Sequence, residues 1–418
     1  MIFTLEILLL AYLVLSIIIQ AFAHSFRATE SIFVRLLFLL LTIGTVGLYL
    51  YAKPITQYLA TPQSTLQQVV LSFALLANSI MLFTRHKNIN FEPMYLNFLN
   101  VFSFLALATS GVVMAIIGII GIRFIELAIA MTSEVRADVP TQLKQLWKIV
   151  VVSLILGAFA LFNSLSASPA SSVIASCLII MAFVIDAGLL NLRMTKRIEL
   201  ANQATPLLFI RWASTSVVVS ASFLFFLLQL QSNLNHQVLL GCLMVTLALQ
   251  LFGFTQTRNI HQVLTRLYIV NLSFVFLLFS YCKDQQMLMV GLIYMISLHL
   301  IVPMLLVLLE AKQQFRWNSY EKLILFLLMG WLTLLPLPTS FFPRLSLMLM
   351  NGGNGNGYFY FLYLIVLIVA LNTLLQRGVE YRQIEKSLPA KNNHKISAIY
   401  TMLIILIAIA GSAVGLVP

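Results

Sequence analysis

Apolar runs long enough to cross a bilayer recur from one end of this chain to the other, separated by short polar connections. With 61% of 418 residues hydrophobic and only 9% charged, no stretch is left that would build a soluble domain. In hydrocarbon every backbone N–H and C=O must be satisfied within the protein, which leaves helices or closed barrels. The runs are continuous rather than alternating and about 20 residues long, so they predict an all-α polytopic membrane protein. Fourteen spans fit, near 2–21, 32–52, 66–84, 94–110, 112–132, 146–165, 172–192, 206–230, 237–256, 260–281, 286–309, 322–343, 358–376 and 396–416. The stretch 94–132 is too long for one helix, and Ser110-Gly111 is where it divides.

The basic residues test that count. Of 25 Lys and Arg, 21 lie in or beside connections that follow odd-numbered spans. Three (Lys53, Lys283 and Arg344) lie on the other side, and Arg123 sits inside a span. Such an excess marks the cytoplasmic side. It predicts cytoplasmic connections at 85–93, 133–145, 193–205 and 377–395, and both termini outside. The net charge of +12 is therefore a topological signal and argues for no nucleic-acid partner. The three cysteines (Cys177, Cys242, Cys282) are scattered, so neither a disulfide framework nor a metal site is expected. The opening MIFTLEILLLAYLVL lacks a basic n-region and a small-residue cleavage site, so it reads as a first span. The Gly/Asn-rich segment 351–357 follows no strand and opens no phosphate-binding helix; it reads as an outer loop, and no cofactor is expected.

Ionisable residues at bilayer depth are functional candidates by default. Glu126 sits in the fifth span with Arg123 one turn earlier on the same face, and Lys148 opens the sixth. Asp186 lies in the seventh span, His261 and Arg266 at the start of the tenth, His299 in the eleventh and Arg344 at the end of the twelfth. The bland readings are Arg123–Glu126 as a self-neutralising pair, Asp186 paired with a cation from a neighbouring helix, Arg266 and Arg344 as snorkelling cations, and His299 as a satisfied interior histidine. Together they resemble a hydrophilic path for protons. LLPLPTSFFPR (334–344) adds Pro336, Pro338 and Pro343 where a helix should run. Proline removes a ladder bond and frees a carbonyl, and broken helices beside charges point to an ion path.

These strings resemble a known family: the antiporter-like membrane subunits of complex I, with relatives in Mrp cation/proton antiporters, membrane hydrogenases and Dab inorganic-carbon transporters. RFIELAIAMTSEVR followed by QLWKIVVVSLILGAFALF is similar to its fifth and sixth helices, with Glu126 and Lys148 in place. NIHQVLTRLYIVNLSF (259–274) is similar to a DIKRLLAYSSISNLGF-like tenth helix, with His261 at a lysine position. LHLIVPMLL resembles a HALFKALLF-like eleventh helix, keeping His299 and placing Pro303 at the lysine. LLPLPTSFFPR resembles the broken twelfth helix, with Pro336, Phe341 and Arg344 matching. Two departures stand out. The central lysine of the family's seventh helix is replaced by Asp186, and the lysine of the eighth is absent from FIRWASTSVVVSASF.

The resemblance implies an antiporter-like fold with inverted repeats and broken seventh and twelfth helices, forming one membrane domain over 1–418 with a family-like core at 66–385. It implies a multi-pass protein of a bacterial inner membrane that translocates H+ (or Na+) through Glu126, Asp186, His261, His299, Arg344 and Lys148, with Arg123 as charge partner. The chain alone is not expected to be an enzyme; a soluble or peripheral energy-coupling subunit is implied. The lost lysines argue against an ordinary complex I subunit, and by analogy and elimination the expected assembly is a Dab-type inorganic-carbon (CO2/bicarbonate) uptake system with a zinc-containing partner. The alternatives are a non-conducting membrane anchor, or a divergent complex I, hydrogenase or Mrp subunit. With Asp186 at the lysine position, Glu126 and Asp186 are expected to face each other as two acids. Arg123 then takes part of the lysine's role, holding Glu126 charged and leaving Asp186 to carry the proton.

Overall fold

The computed structural model describes residues 32–51, 93–108, 112–132, 139–164, 169–186, 206–229, 233–257, 260–281 and 357–385, with parts of 11–22, 67–78, 291–305 and 329–333. Among the described residues all regular structure is helical. We number the long helices α1 (Ile32–Tyr51), α2 (Pro93–Ala108), α3 (Val112–Thr132), α4 (Val139–Ser164), α5 (Pro169–Asp186), α6 (Pro206–Gln229), α7 (Asn233–Thr255), α8 (Ile260–Tyr281) and α9 (Gly357–Glu385). Apolar stretches long enough to cross a membrane run over Leu146–Ser164 in α4, Gln237–Thr255 in α7 and Gly357–Gln376 in α9. Trp147 is 66% exposed at the start of the first of these, between Lys144 and Lys148, as suits a side chain at a membrane–water boundary.

The division of 94–132 falls where Ser110-Gly111 predicts it, α2 ending at Ala108 and α3 starting at Val112. The two helices pack as a hairpin, and two glycines set how closely. A Cβ on Gly118 would lie 2.3 Å from the Ala106 nitrogen and 2.6 Å from the Phe102 carbonyl oxygen. One on Gly121 would lie 2.3 Å from the Phe102 ring. Small residues that let backbones approach are the usual means of helix association in lipid.

Three expected boundaries are corrected. The connection drawn at 133–145 is shorter, because α4 starts at Val139. Pro140 is tolerated in a first helical turn, where its missing N–H has no ladder partner to lose, and polar TQLKQ then carries the helix toward the apolar run. The connection drawn at 377–395 loses its first nine residues to α9, which continues through Arg377 and Arg382 to Glu385. The seventh span starts at Pro169 rather than 172, again with proline in the first turn. The span near 396–416, the connection at 193–205 and the break expected at Pro336, Pro338 and Pro343 lie outside the described residues.

The chain divides into two compact units: Met1–Asp186 with Ile210–Leu230, and Ala187–Phe209 with Gln231–Pro418. In the first, α2 packs on α3, α3 on α4, and α4 on α5. Most of α6 belongs there too. Every residue from Thr215 to Phe226 is buried, so this stretch is surrounded by protein. Phe223 meets Phe183 edge-on, Phe226 lies against Phe159, and Ser222 Oγ reaches the Ala106 carbonyl at 3.3 Å. A buried amide link joins three segments of this unit: Asn78 Nδ2 donates to Asn100 Oδ1 at 2.9 Å, and Asn100 Nδ2 to the Tyr12 hydroxyl at 3.0 Å.

In the second unit α7, α8 and α9 pack against one another. Here α8 is the enclosed helix, buried without a break from Ile269 to Leu277. Phe274 stacks on Tyr363 of α9, ring centroids 4.8 Å apart, and meets Tyr294 edge-on.

Candidate functional site

The first unit holds a charge cluster built by three helices and closed by a fourth. Arg123 and Glu126 are one turn apart on α3, and Nη1 donates to Glu126 Oε2 at 2.7 Å. The same guanidinium turns its other edge to α5, where Nε donates to Asp186 Oδ1 at 3.1 Å and Nη2 to Oδ2 at 2.5 Å. A planar guanidinium matches a carboxylate in this two-bonded way, and such pairs are the strong ones. Lys148 of α4 lies 3.8 Å from Asp186 Oδ1 and also donates to the Asp186 backbone carbonyl. Thr215 of α6 donates its hydroxyl to Glu126 Oε1.

The cluster therefore contains two cations and two acids. Asp186 is nearly enclosed at 5% side-chain exposure, Arg123 and Glu126 stand at 19%, and Lys148 is the most open at 38%. The expected face-to-face approach of two acids is corrected. Arg123 stands between Glu126 and Asp186, and both Asp186 oxygens accept N–H groups, the pattern of an ionised carboxylate. An arginine reaches both because its five N–H groups leave in different directions; a lysine offers one point charge.

In the second unit the centre is Asn271, fully buried on α8. Its Nδ2 donates to the Leu267 carbonyl at 2.8 Å and the Leu332 carbonyl at 3.0 Å. Its Oδ1 accepts from the Tyr294 hydroxyl at 2.7 Å and the Tyr363 hydroxyl at 3.0 Å. Two donors and two lone pairs are an amide's whole capacity. Leu332 needs such a donor for a reason visible in the sequence: four residues on stands Pro336, which has no N–H to return to it. Beside this carbonyl the chain already turns out of helix, with Thr333 N bonded back to the Gly330 carbonyl at 3.1 Å.

His299, also fully buried, pairs with Tyr268 of α8, hydroxyl to Nδ1 at 2.8 Å. Arg266 donates to the buried Gln250 Oε1 of α7 at 3.1 Å, its guanidinium lying over Gly253. His261 is the second residue of α8, its side chain outside what is described, and Arg344 lies wholly outside the described residues. Of the expected site residues, Arg123, Glu126, Lys148 and Asp186 thus come together, and His299 sits in the other unit. Among the described residues no group of three His, Cys, Asp or Glu forms a metal site. Among the described residues neither Cys177 nor Cys242 is in a disulfide.

Thr215, Tyr268 and Asn271 were not among the expected residues. Polar STS inside FIRWASTSVVV and the asparagine of YIVNLSF were the available signals, since a polar group in an apolar span needs a partner.

The sequence matches no protein-family model and no curated protein. Among solved structures it is similar to a chain of respiratory complex I from Thermus thermophilus, determined with bound aureothin. The TM-score is 0.63 over 98% of each chain, at 14% sequence identity. At that identity the likeness establishes a shared fold along nearly the whole length.

Proposed function

We propose that this chain is a proton-translocating membrane subunit of a larger, energy-coupled complex. The observation that carries the reading is the Arg123 guanidinium between Glu126 and Asp186, with Lys148 on Asp186. Four charges linked in a row by three ion pairs are coupled, so moving one proton changes the hold on its neighbours. Arginine keeps its charge under all ordinary conditions. Arg123 is therefore the fixed member, and exchangeable protons belong to Lys148, Asp186 and Glu126. A proton that neutralises Asp186 loosens both cations, and the more exposed Lys148 is free to hand its own proton onward. Asp186 is then the carboxylate whose ion pairs open and close, rather than a carrier resting in its neutral form. His261, His299 and Arg344 would continue the path. The likeness in fold to a complex I chain supports membership of a multi-subunit membrane assembly.

The finer reading is fourteen spans over a single membrane domain with both termini outside, in a bacterial inner membrane. Its assembly is a Dab-type inorganic-carbon uptake system with a soluble zinc-containing partner. That assignment rests on analogy and elimination: the family lysines replaced at Asp186 and missing from the eighth span argue against an ordinary complex I subunit, and no residue points to inorganic carbon. Co-purification with a zinc protein from the native host supports it; co-purification with redox subunits replaces it with a complex I-type or hydrogenase assembly.

A second reading, a non-conducting anchor, is favoured by the balance of the cluster, since two cations facing two acids also form a stable static joint. Proton flux into vesicles holding the purified complex separates the two. Asp186→Asn and Glu126→Gln should abolish flux while the complex still assembles. Wild-type flux in both variants, or no flux in the wild type, leaves the anchor as the function.

A further inference from the structure

We propose that Tyr268 and His299 form a second proton-exchanging centre, in the other unit of the chain, with Tyr268 as the relay partner of the histidine. This rests on the transport reading above and adds to it a residue and a chemical role. The hydroxyl of Tyr268 is 2.8 Å from His299 Nδ1, the ring centroids are 5.5 Å apart with planes inclined by 55°, and His299 is fully buried.

The neighbouring Asn271 bonds show what is different here. Tyr294 and Tyr363 donate to an amide oxygen, which accepts hydrogen bonds but takes up no proton in ordinary conditions, so those bonds have one direction. A phenol and an imidazole each donate or accept, so the Tyr268–His299 bond can reverse. With neutral His299, Tyr268 donates to Nδ1 and the ring carries its proton on Nε2. A transfer is then balanced as follows. The phenol proton passes to Nδ1, the Nε2 proton leaves to the next acceptor, and an incoming proton restores the phenol. One proton enters at Tyr268 and one leaves from His299, with no net charge left behind. The ring regains its Nε2–H form by turning from Tyr268, taking a proton at Nε2 and releasing the Nδ1 proton to the same exit-side acceptor. The reset moves no net proton and leaves the transfer in place.

Tyr268→Phe removes the hydroxyl and keeps the ring. In vesicles holding the intact complex it should lower proton flux at least tenfold with normal yield. His299→Gln should do the same, and the double variant should be no slower than either, because the two act as one unit. A readout independent of flux is the tautomer of His299 in histidine-labelled protein by 15N NMR, its signal assigned among the six histidines by its loss in His299→Gln. The wild type should hold the Nε2–H form, and Tyr268→Phe should shift the balance toward Nδ1–H. Wild-type flux in Tyr268→Phe, or an unchanged tautomer, overturns the proposal. If Asp186→Asn keeps full flux while Tyr268→Phe loses it, the charge cluster fails as a relay and the Tyr268–His299 centre stands. The opposite result removes only the Tyr268–His299 centre.

Discussion

Replacing Asn271 by leucine is the most exacting test of how the second unit is held together. The change keeps approximate volume and removes four hydrogen bonds, three of which reach other segments: to the Leu332 carbonyl, Tyr294 and Tyr363. Interhelical hydrogen bonds in membrane proteins average ~0.6 kcal/mol and reach ~1.7, so three are worth about 2 kcal/mol and at most about 5. The fourth, to Leu267 on the same helix, adds little. Unfolding of the purified protein in mixed detergent should therefore show Asn271→Leu destabilised by about 2 kcal/mol or more, against about 0.6 each for Tyr294→Phe and Tyr363→Phe. The Leu332 bond can be isolated further. Pro336→Ala restores an N–H four residues beyond Leu332, so in that background the loss of Asn271 should be cheaper by about one interhelical bond, ~0.6 kcal/mol. An Asn271→Leu protein within about 0.5 kcal/mol of wild type, the scatter expected of independent sites, would refute the reasoning. So would an identical cost in both backgrounds.

Gly118→Ala should destabilise by about 1–3 kcal/mol in the same assay, because its Cβ meets backbone of α2 and the helices must part. Gly253→Ala should leave stability within about 1 kcal/mol, since what it meets is the movable end of Arg266, while breaking the Arg266–Gln250 bond. Thr215→Val keeps shape but withdraws the hydroxyl from Glu126; flux should fall several-fold and Thr215→Ser should restore it, whereas equal flux in both would mean the hydroxyl is idle. Arg123→Lys should lose most flux despite keeping the charge, because one ammonium cannot bridge two carboxylates; wild-type flux would show that charge alone suffices.

Helices were legible where local chemistry decides them. Ser110-Gly111 marks a break, and Pro140 and Pro169 mark first turns, though apolarity alone put both starts too late. The far end of α9 was missed because Arg377 to Glu385 is polar, and hydropathy reports where lipid ends rather than where the helix does. The Arg123–Glu126 pair follows from a spacing of three. The bond from Arg123 to Asp186 spans 63 positions and exists only because α3 and α5 present those faces to one place. Thr215 and Tyr268 were hidden for the same reason: nothing in a lone hydroxyl's neighbours names the group it will meet.

The length of α9 has a mechanical consequence. Tyr363, tied to Asn271 and stacked on Phe274, lies 22 residues before the end of the helix at Glu385, about 33 Å along one unbroken rod. A continuous helix bends little without a proline or an inserted side chain. Pushing its polar end sideways by ~3 Å is then a rotation of about 5° about Tyr363, delivered to the bonds that hold the Leu332 carbonyl. The rod works as a lever arm, with its long end at the polar tip and its short end on the asparagine.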